Sequence, residues 1–138
     1  MAVPLTPNQV ILGLDVGDAR IGLAVAGSVA RLPSPIETIQ RGDDEVDLLQ
    51  KIISRESADI IVVGIPRNLS GEETAQSTKI RQFADFIKPN ISVPIIFVDE
   101  SLSSKRADEY IKNTKNAEQD SVAACFILQE YFDTLEVA

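Results

Sequence analysis

The sequence predicts an α/β domain built on one mixed five-stranded sheet, three antiparallel strands followed by parallel ones, with helices on both faces. Two observations predict it. Apolar runs at 10–16 and 21–26 are joined by Gly17-Asp18-Ala19-Arg20, a spacer of hairpin length. Farther along, compact apolar runs at 59–64 and 93–99 alternate with stretches of helical period, the pattern of parallel strands linked by crossovers.

The elements follow in order. After the hairpin, residues 35–40 (PIETIQ) form a third strand, which Pro33 and Pro35 confine to a late start or an edge. Arg41-Gly42-Asp43-Asp44-Glu45 opens a helix with acids in its first turn, and Val46, Leu49, Ile52 and Ile53 give it an apolar stripe. The acids Asp43, Asp44, Glu45 and Asp47 read as a solvated first turn. Residues 72–87 form the next helix, with Ile80, Phe83, Ala84 and Ile87 at i, i+3, i+4 and i+7. Two further helices are expected near 103–113 and 119–133. The order β-β-β-α-β-α-β-α-α places functional residues beyond the carboxyl ends of the parallel strands, where the chain order reverses direction.

Length and composition fit one domain over residues 1–138. No apolar run reaches the ~20 residues of a membrane span, the first residues lack a secretory signal, and the single Cys125 fits a reducing cytoplasm. Histidine is absent, which excludes His-based triads and His-ligated zinc. The net charge of −8 argues against a general nucleic-acid coat, whose binding draws on clustered Lys and Arg.

Asp15 is the anomaly. It interrupts the most strand-like run, VILGLDV, on the face shared with Ile11 and Gly13, where an uncompensated charge costs several kcal/mol. Asp99-Glu100 ends the last strand; adjacent residues point to opposite faces, so one of the two serves the same site. Asp120 opens the final helix, and Ala123 and Ala124 at i+3 and i+4 let that helix approach the sheet closely. Two carboxylates 4 Å apart repel by roughly 4 kcal/mol at an effective dielectric of 20, so converging acids take up protons or hold a cation. With oxygen ligands alone, the fitting cations are Mg²⁺ and Mn²⁺. Each acid also has a structural reading. Asp120 can complement a helix dipole, Asp99 or Glu100 can cap the helix that follows, and Asp15 can pair with Arg20 across the hairpin.

Five blocks in order resemble the YqgF/RuvX family, pre-16S rRNA nucleases related to Holliday junction resolvases. They are residues 14–25 (LDVGDARIGLAV), 35–39 (PIETI), 61–71 (IVVGIPRNLSG), 97–104 (FVDESLSS) and 120–129 (DSVAACFILQ). The resemblance implies a ribonuclease H-like fold and a metal-dependent nuclease trimming the 5′ end of precursor 16S rRNA. It implies Asp15, Glu100 and Asp120 as the acids that hold Mg²⁺ or Mn²⁺. Candidate substrate contacts are Arg20, Arg67, Asn68, Ser103 and Ser104, with Lys105 and Arg106 behind them. Arg20 can equally orient Asp15, Arg67 can be a surface charge, and Asn68 can shape its turn.

The family pattern D-E-R-L-T-T stands here as Asp99-Glu100-Ser101-Leu102-Ser103-Ser104, without its arginine, and the segment before Asp120 is short. Together with the acidic total this implies weak, salt-sensitive binding of precursor rRNA, aided by a partner or the pre-ribosome. Three other functions share the pattern. Resolution of branched DNA junctions would use the same acids, and a binding module would keep the fold without the activity. An actin-like or sugar-kinase ATPase also starts with D-x-G, but it needs two lobes where this chain has length for one, and no G-x-x-x-x-G-K-[ST] is present.

Overall fold

The computed structural model describes residues 8–68, 70–100 and 117–135, the side chains of 117–119 excepted. Its strands are β1 (Val10–Val16), β2 (Arg20–Gly27), β3 (Ser34–Gln40), β4 (Ile60–Pro66) and β5 (Ile95–Glu100). Its helices are α1 (Glu45–Glu56), α2 (Ala75–Ile87) and α3 (Ala117–Leu135), with a short 3₁₀ turn at Lys88–Asn90. The expected helix near 103–113 lies outside the described residues.

The sheet order is β3-β2-β1-β4-β5. β1 pairs antiparallel with β2, and β2 with β3; β4 runs parallel to both β1 and β5. This is the mixed sheet that the hairpin and the apolar strands predict. β3 lies at the edge, where Pro35 removes no interior ladder bond, and the β2–β3 register shifts between Leu23 and Ala24.

Strand alternation divides the interior into two cores. Leu12, Leu14, Val16, Ile61, Val63 and Ile65 face α1 and α2, meeting Leu49, Ile52, Ile80, Phe83 and Ile87. Ile11, Ala24, Ala26, Ile60, Val62 and Val98 face α3, meeting Ala124, Ile127, Leu128, Tyr131 and Phe132. Both faces of the sheet are therefore covered, and β1 and β4 read as continuous apolar runs for that reason.

Local chemistry sets the boundaries. α2 starts at Ala75, later than its periodicity suggests, because Thr74 caps it: Thr74 Oγ1 accepts from the Ser77 amide, and Ser77 Oγ accepts from the Thr74 amide. Ser77 Oγ also donates to the Pro66 carbonyl at 2.5 Å, tying the helix to the end of β4. Around the start of α1, Asp43, Asp44 and Asp47 are exposed as expected, but Glu45 is buried. Its carboxylate accepts from Arg41 Nε at 2.7 Å and from the Gly42 amide at 3.3 Å. The arginine and the backbone donor offset the cost of burying this side chain. No helix among the described residues is long and apolar enough to cross a membrane.

Candidate active site

Three glycines bring α3 down onto the sheet. Gly13, Gly22 and Gly64 lie on its face, on β1, β2 and β4. A Cβ at Gly13 would fall 2.6 Å from Leu128 Cγ and 3.0 Å from the Ala124 carbonyl oxygen. One at Gly22 would overlap the main-chain carbonyl of Asp120, and one at Gly64 would overlap Glu100 Oε1 and lie 2.6 Å from Ile127 Cδ1. Bare backbone on the sheet thus admits the N-terminal half of α3 at close range, as the small Ala123 and Ala124 anticipate on the helix side. Gly22, which the sequence reading does not single out, and Gly64, which begins the 64–71 loop that the family resemblance places at the border of the site, are part of what positions the acids.

Asp15 ends β1 opposite Gly22, so its carboxylate and Asp120 both lie over the β1–β2 ladder. Glu100 ends β5 on the side of Val98, the α3 side, and its carboxylate reaches back over Gly64 of the neighbouring strand. Burial, with the Asp120 charge second, pushes the Asp15 carboxyl up to about 6. Burial, then Asp15 and Glu130, pushes Glu100 up to about 7. Asp15 is thus the link between the other two acids. Glu130, one α3 turn beyond Ile127, is a further acid that the sequence reading does not flag; its distance along the chain from Asp120 hides it.

The structure does not gather all three acids around one point. Among the described residues, no three His, Cys, Asp or Glu side chains come together closely enough to hold a metal ion. The reason is visible at Arg20. Its Nε donates to Asp120 Oδ2 at 2.7 Å, across 100 residues of sequence, so the arginine serves Asp120 rather than Asp15. Asp15 keeps no such partner among the described residues.

The remaining candidates sit elsewhere. Asp99 faces away from Glu100, and its Oδ1 accepts from Arg67 Nε at 2.8 Å. Arg67 also donates to the Gly71 carbonyl at 3.3 Å and lies 3.8 Å from Glu73, so its charge is already matched. Asn68 shapes its loop: Oδ1 accepts from the Ser70 and Glu72 amides at 3.0 and 2.9 Å. Ser103, Ser104, Lys105 and Arg106 lie outside the described residues. Cys125 is half-buried, and burial pushes its thiol up to about 11, which makes it a packing residue rather than a nucleophile.

A mixed sheet of order β3-β2-β1-β4-β5, with acids at the ends of β1 and β5 and a third on the helix covering them, defines a ribonuclease H-like domain of the nuclease class. The structural neighbours agree on the fold. RuvC of Thermus thermophilus, solved with a Holliday junction substrate, superposes with a TM-score of 0.59 at 15% identity, over 94% of this chain and 98% of that one. The fowlpox virus resolvase in complex with Holliday junction DNA does so at 0.51 and 12%, over 92% and 99%.

The chain belongs to the RuvX family: the model for that family, described as Holliday junction resolvase, matches residues 9–134. A Chloroflexus aurantiacus protein named "Putative pre-16S rRNA nuclease" is 34% identical over 134 residues, 91% of this chain and 88% of its own. A Clostridium botulinum protein of the same name is 35% identical over 133 residues, 91% and 97% of the two chains.

Proposed function

We propose that the protein is a cytoplasmic, divalent-metal-dependent nuclease that trims the 5′ end of precursor 16S rRNA, with Asp15, Glu100 and Asp120 as the acids of its site. The observation that carries this reading is the Asp15–Glu100 relationship. Two half-buried carboxylates lie close enough to act on each other, each made harder to ionise, and no basic side chain among the described residues offsets either shift. A structural ion pair would supply its own counter-charge. This pair is built to receive one.

The donor set fits a hard cation. All the ligands are carboxylate oxygens, the choice of Mg²⁺ and Mn²⁺, and no sulfur or imidazole is offered. Asp15 and Glu100 would hold the ion from the sheet, and Asp120 would complete the set from α3. Once bound, such an ion supplies charge neutralisation at the scissile phosphate and a nucleophilic water. In the hydrolysis the water oxygen adds to phosphorus and gives up a proton, and the bond to one ribose oxygen breaks as that oxygen takes up a proton from solvent to leave as the alcohol.

The chain's own contribution is placement. β1 and β5 fix two carboxylates on rigid strands, and α3, seated on the glycines, fixes the backbone of the third. The apolar packing of Ile127 and Leu128 beneath the site keeps its floor dry, which strengthens each charge interaction above it.

The test is cleavage of a precursor-rRNA 5′ fragment beside a four-way DNA junction, with Mn²⁺, with Mg²⁺ and with chelator. The proposal expects metal-dependent RNA trimming that Asp15→Asn abolishes. Junction cutting with no RNA cleavage would move the substrate to branched DNA. RNA cleavage that survives both chelator and Asp15→Asn would end the metal-site reading.

A further inference from the structure

Asp120 is held between two unlike neighbours. Its main chain is seated closely on the sheet, because its carbonyl lies over Gly22 where no side chain intervenes. Its side chain can still turn: it is 26% exposed, and its partner Arg20 is 39% exposed, so both lie at the rim of the site. On one side stands the Arg20 guanidinium at 2.7 Å. On the other stands the Asp15 carboxylate, across from Gly22 on the same ladder and near enough to feel the Asp120 charge.

We propose that Arg20 is a positioning residue that holds Asp120 away from Asp15 until a divalent cation binds, and then exchanges Asp120 for a phosphate of the nucleic acid. The inference rests on the reading that Asp15 and Glu100 take such a cation. Without the cation, rotation of Asp120 toward Asp15 would bring a third negative charge to a pair that already repels. The ion pair with Arg20 is the better place for it. Once Asp15 and Glu100 are neutralised, the balance reverses and Asp120 turns inward as a ligand. A partly exposed ion pair of this kind is weak enough to be exchanged.

The release leaves a guanidinium at the mouth of the site with no carboxylate partner among the described residues. Its planar fork matches a phosphate oxygen pair, which a lysine at the same place would not. The nearby cations on the other face are committed. Arg41 donates to the Gly17 carbonyl at 2.7 Å and to Glu45, and its guanidinium stacks on Phe83 at 4.6 Å. Lys79 lies 3.7 Å from Asp18. Arg20 is the cation placed to follow the metal.

The experiment measures Mn²⁺ binding calorimetrically on the intact protein, as wild type, Arg20→Ala, Arg20→Lys, Arg20→Gln and Asp15→Asn. Melting of each without metal confirms the fold. Removing the competitor should tighten Mn²⁺ binding about 3- to 10-fold in Arg20→Ala and Arg20→Gln, while Arg20→Lys stays within about 2-fold of wild type. The Arg20 Nε–H resonance should show a hydrogen-bonded shift without Mg²⁺ and lose it when Mg²⁺ is added. At saturating Mn²⁺, Arg20→Ala should cleave RNA more slowly and with a raised KM. Unchanged or weaker Mn²⁺ binding in Arg20→Ala, with Asp15→Asn still abolishing it, would sink the exchange and leave the metal site standing. Absence of Mn²⁺ binding to the wild type would sink both.

Discussion

Asp120 rests its backbone carbonyl on Gly22: the position a Cβ would take on β2 is filled by main-chain atoms of α3. Backbone cannot swing aside as a flexible side chain can. Gly22→Ala must therefore lift the start of α3 or bend β2. Overpacking of this kind costs about 1–3 kcal/mol or more. We expect urea unfolding to show that loss, and nuclease activity to fall further than stability alone explains, because the acid on α3 is displaced. Gly27→Ala is the control. A Cβ there meets nothing nearer than the Gln9 carbonyl at 4.0 Å, and its effect should stay within about 0.5 kcal/mol. Equal unfolding midpoints for the two variants would contradict the close seating of α3.

Asp99 and Glu100 are neighbours in sequence with opposite fates. Asp99 pairs with Arg67 at 2.8 Å on an exposed rim, and Glu100 lies over Gly64 beside Asp15. Glu100→Gln should lose several kcal/mol of charge stabilisation, about 100-fold or more in cleavage rate. Asp99→Asn should stay within about 3-fold, since exposed ion pairs contribute only about 0–1 kcal/mol. Parallel rate measurements decide it, and a matched loss in both would mean that the two acids share a role.

That pair also shows how far the sequence reaches. Strand alternation says that one of the two acids faces the site, yet parity cannot choose without a reference residue whose face is known; Val98, packed on α3, supplies it in the structure. The element order and the mixed sheet were legible because hairpin spacing and apolar runs are local signals. Two long-range relations were not. Arg20 and Asp120 meet across 100 residues, and local spacing offered Asp15 as the nearer partner. Glu45 looked like one of four solvated acids, and the burial that sets it apart comes from Arg41 four residues back and from the packing of α1. Asp15, by contrast, announced itself, because a carboxylate inside a buried strand has no cheap explanation.

The metal-free protein should lose stability as pH rises. Folding raises Asp15 from 3.8 to about 6 and Glu100 from 4.5 to about 7, so both bind protons more tightly folded than unfolded. Their stabilising protonation is complete below about pH 4 and is lost as pH climbs through the two folded values. Each contributes on the order of 3 kcal/mol at 1.36 kcal/mol per pH unit, and the two are coupled, so the total is less than their sum. In chelator, Tm should fall between pH 5 and pH 8, and Asp15→Asn should flatten that slope. Mn²⁺ binds the ionised acids, so it should raise Tm more at pH 8 than at pH 5. A chelated protein whose Tm is flat across this range would contradict the burial of the pair.

Nucleic-acid affinity should come mainly from the basic residues between Glu100 and Asp120. Arg41, Arg55, Arg67, Lys79 and Arg81 all stand in ion pairs, with Glu45, Glu37 and Glu56, Asp99 and Glu73, Asp18, and Glu73 in turn. A phosphate reaching any of them must displace a carboxylate, and much of the gain is lost in doing so. The sequence between the site acids Glu100 and Asp120 holds Lys105, Arg106, Lys112 and Lys115. Four phosphate contacts on a single strand give a slope near −0.7 per contact, about 50-fold weaker binding between 50 and 200 mM salt. Replacing those four residues by Ala should weaken RNA binding at low salt and leave little salt dependence, whereas Arg81→Ala should change affinity less than about 3-fold. Fluorescence anisotropy with a labelled single strand, in Ca²⁺ to prevent cleavage, separates the two. A steep salt slope surviving the fourfold replacement would mean that the ion-paired arginines do open to receive the strand.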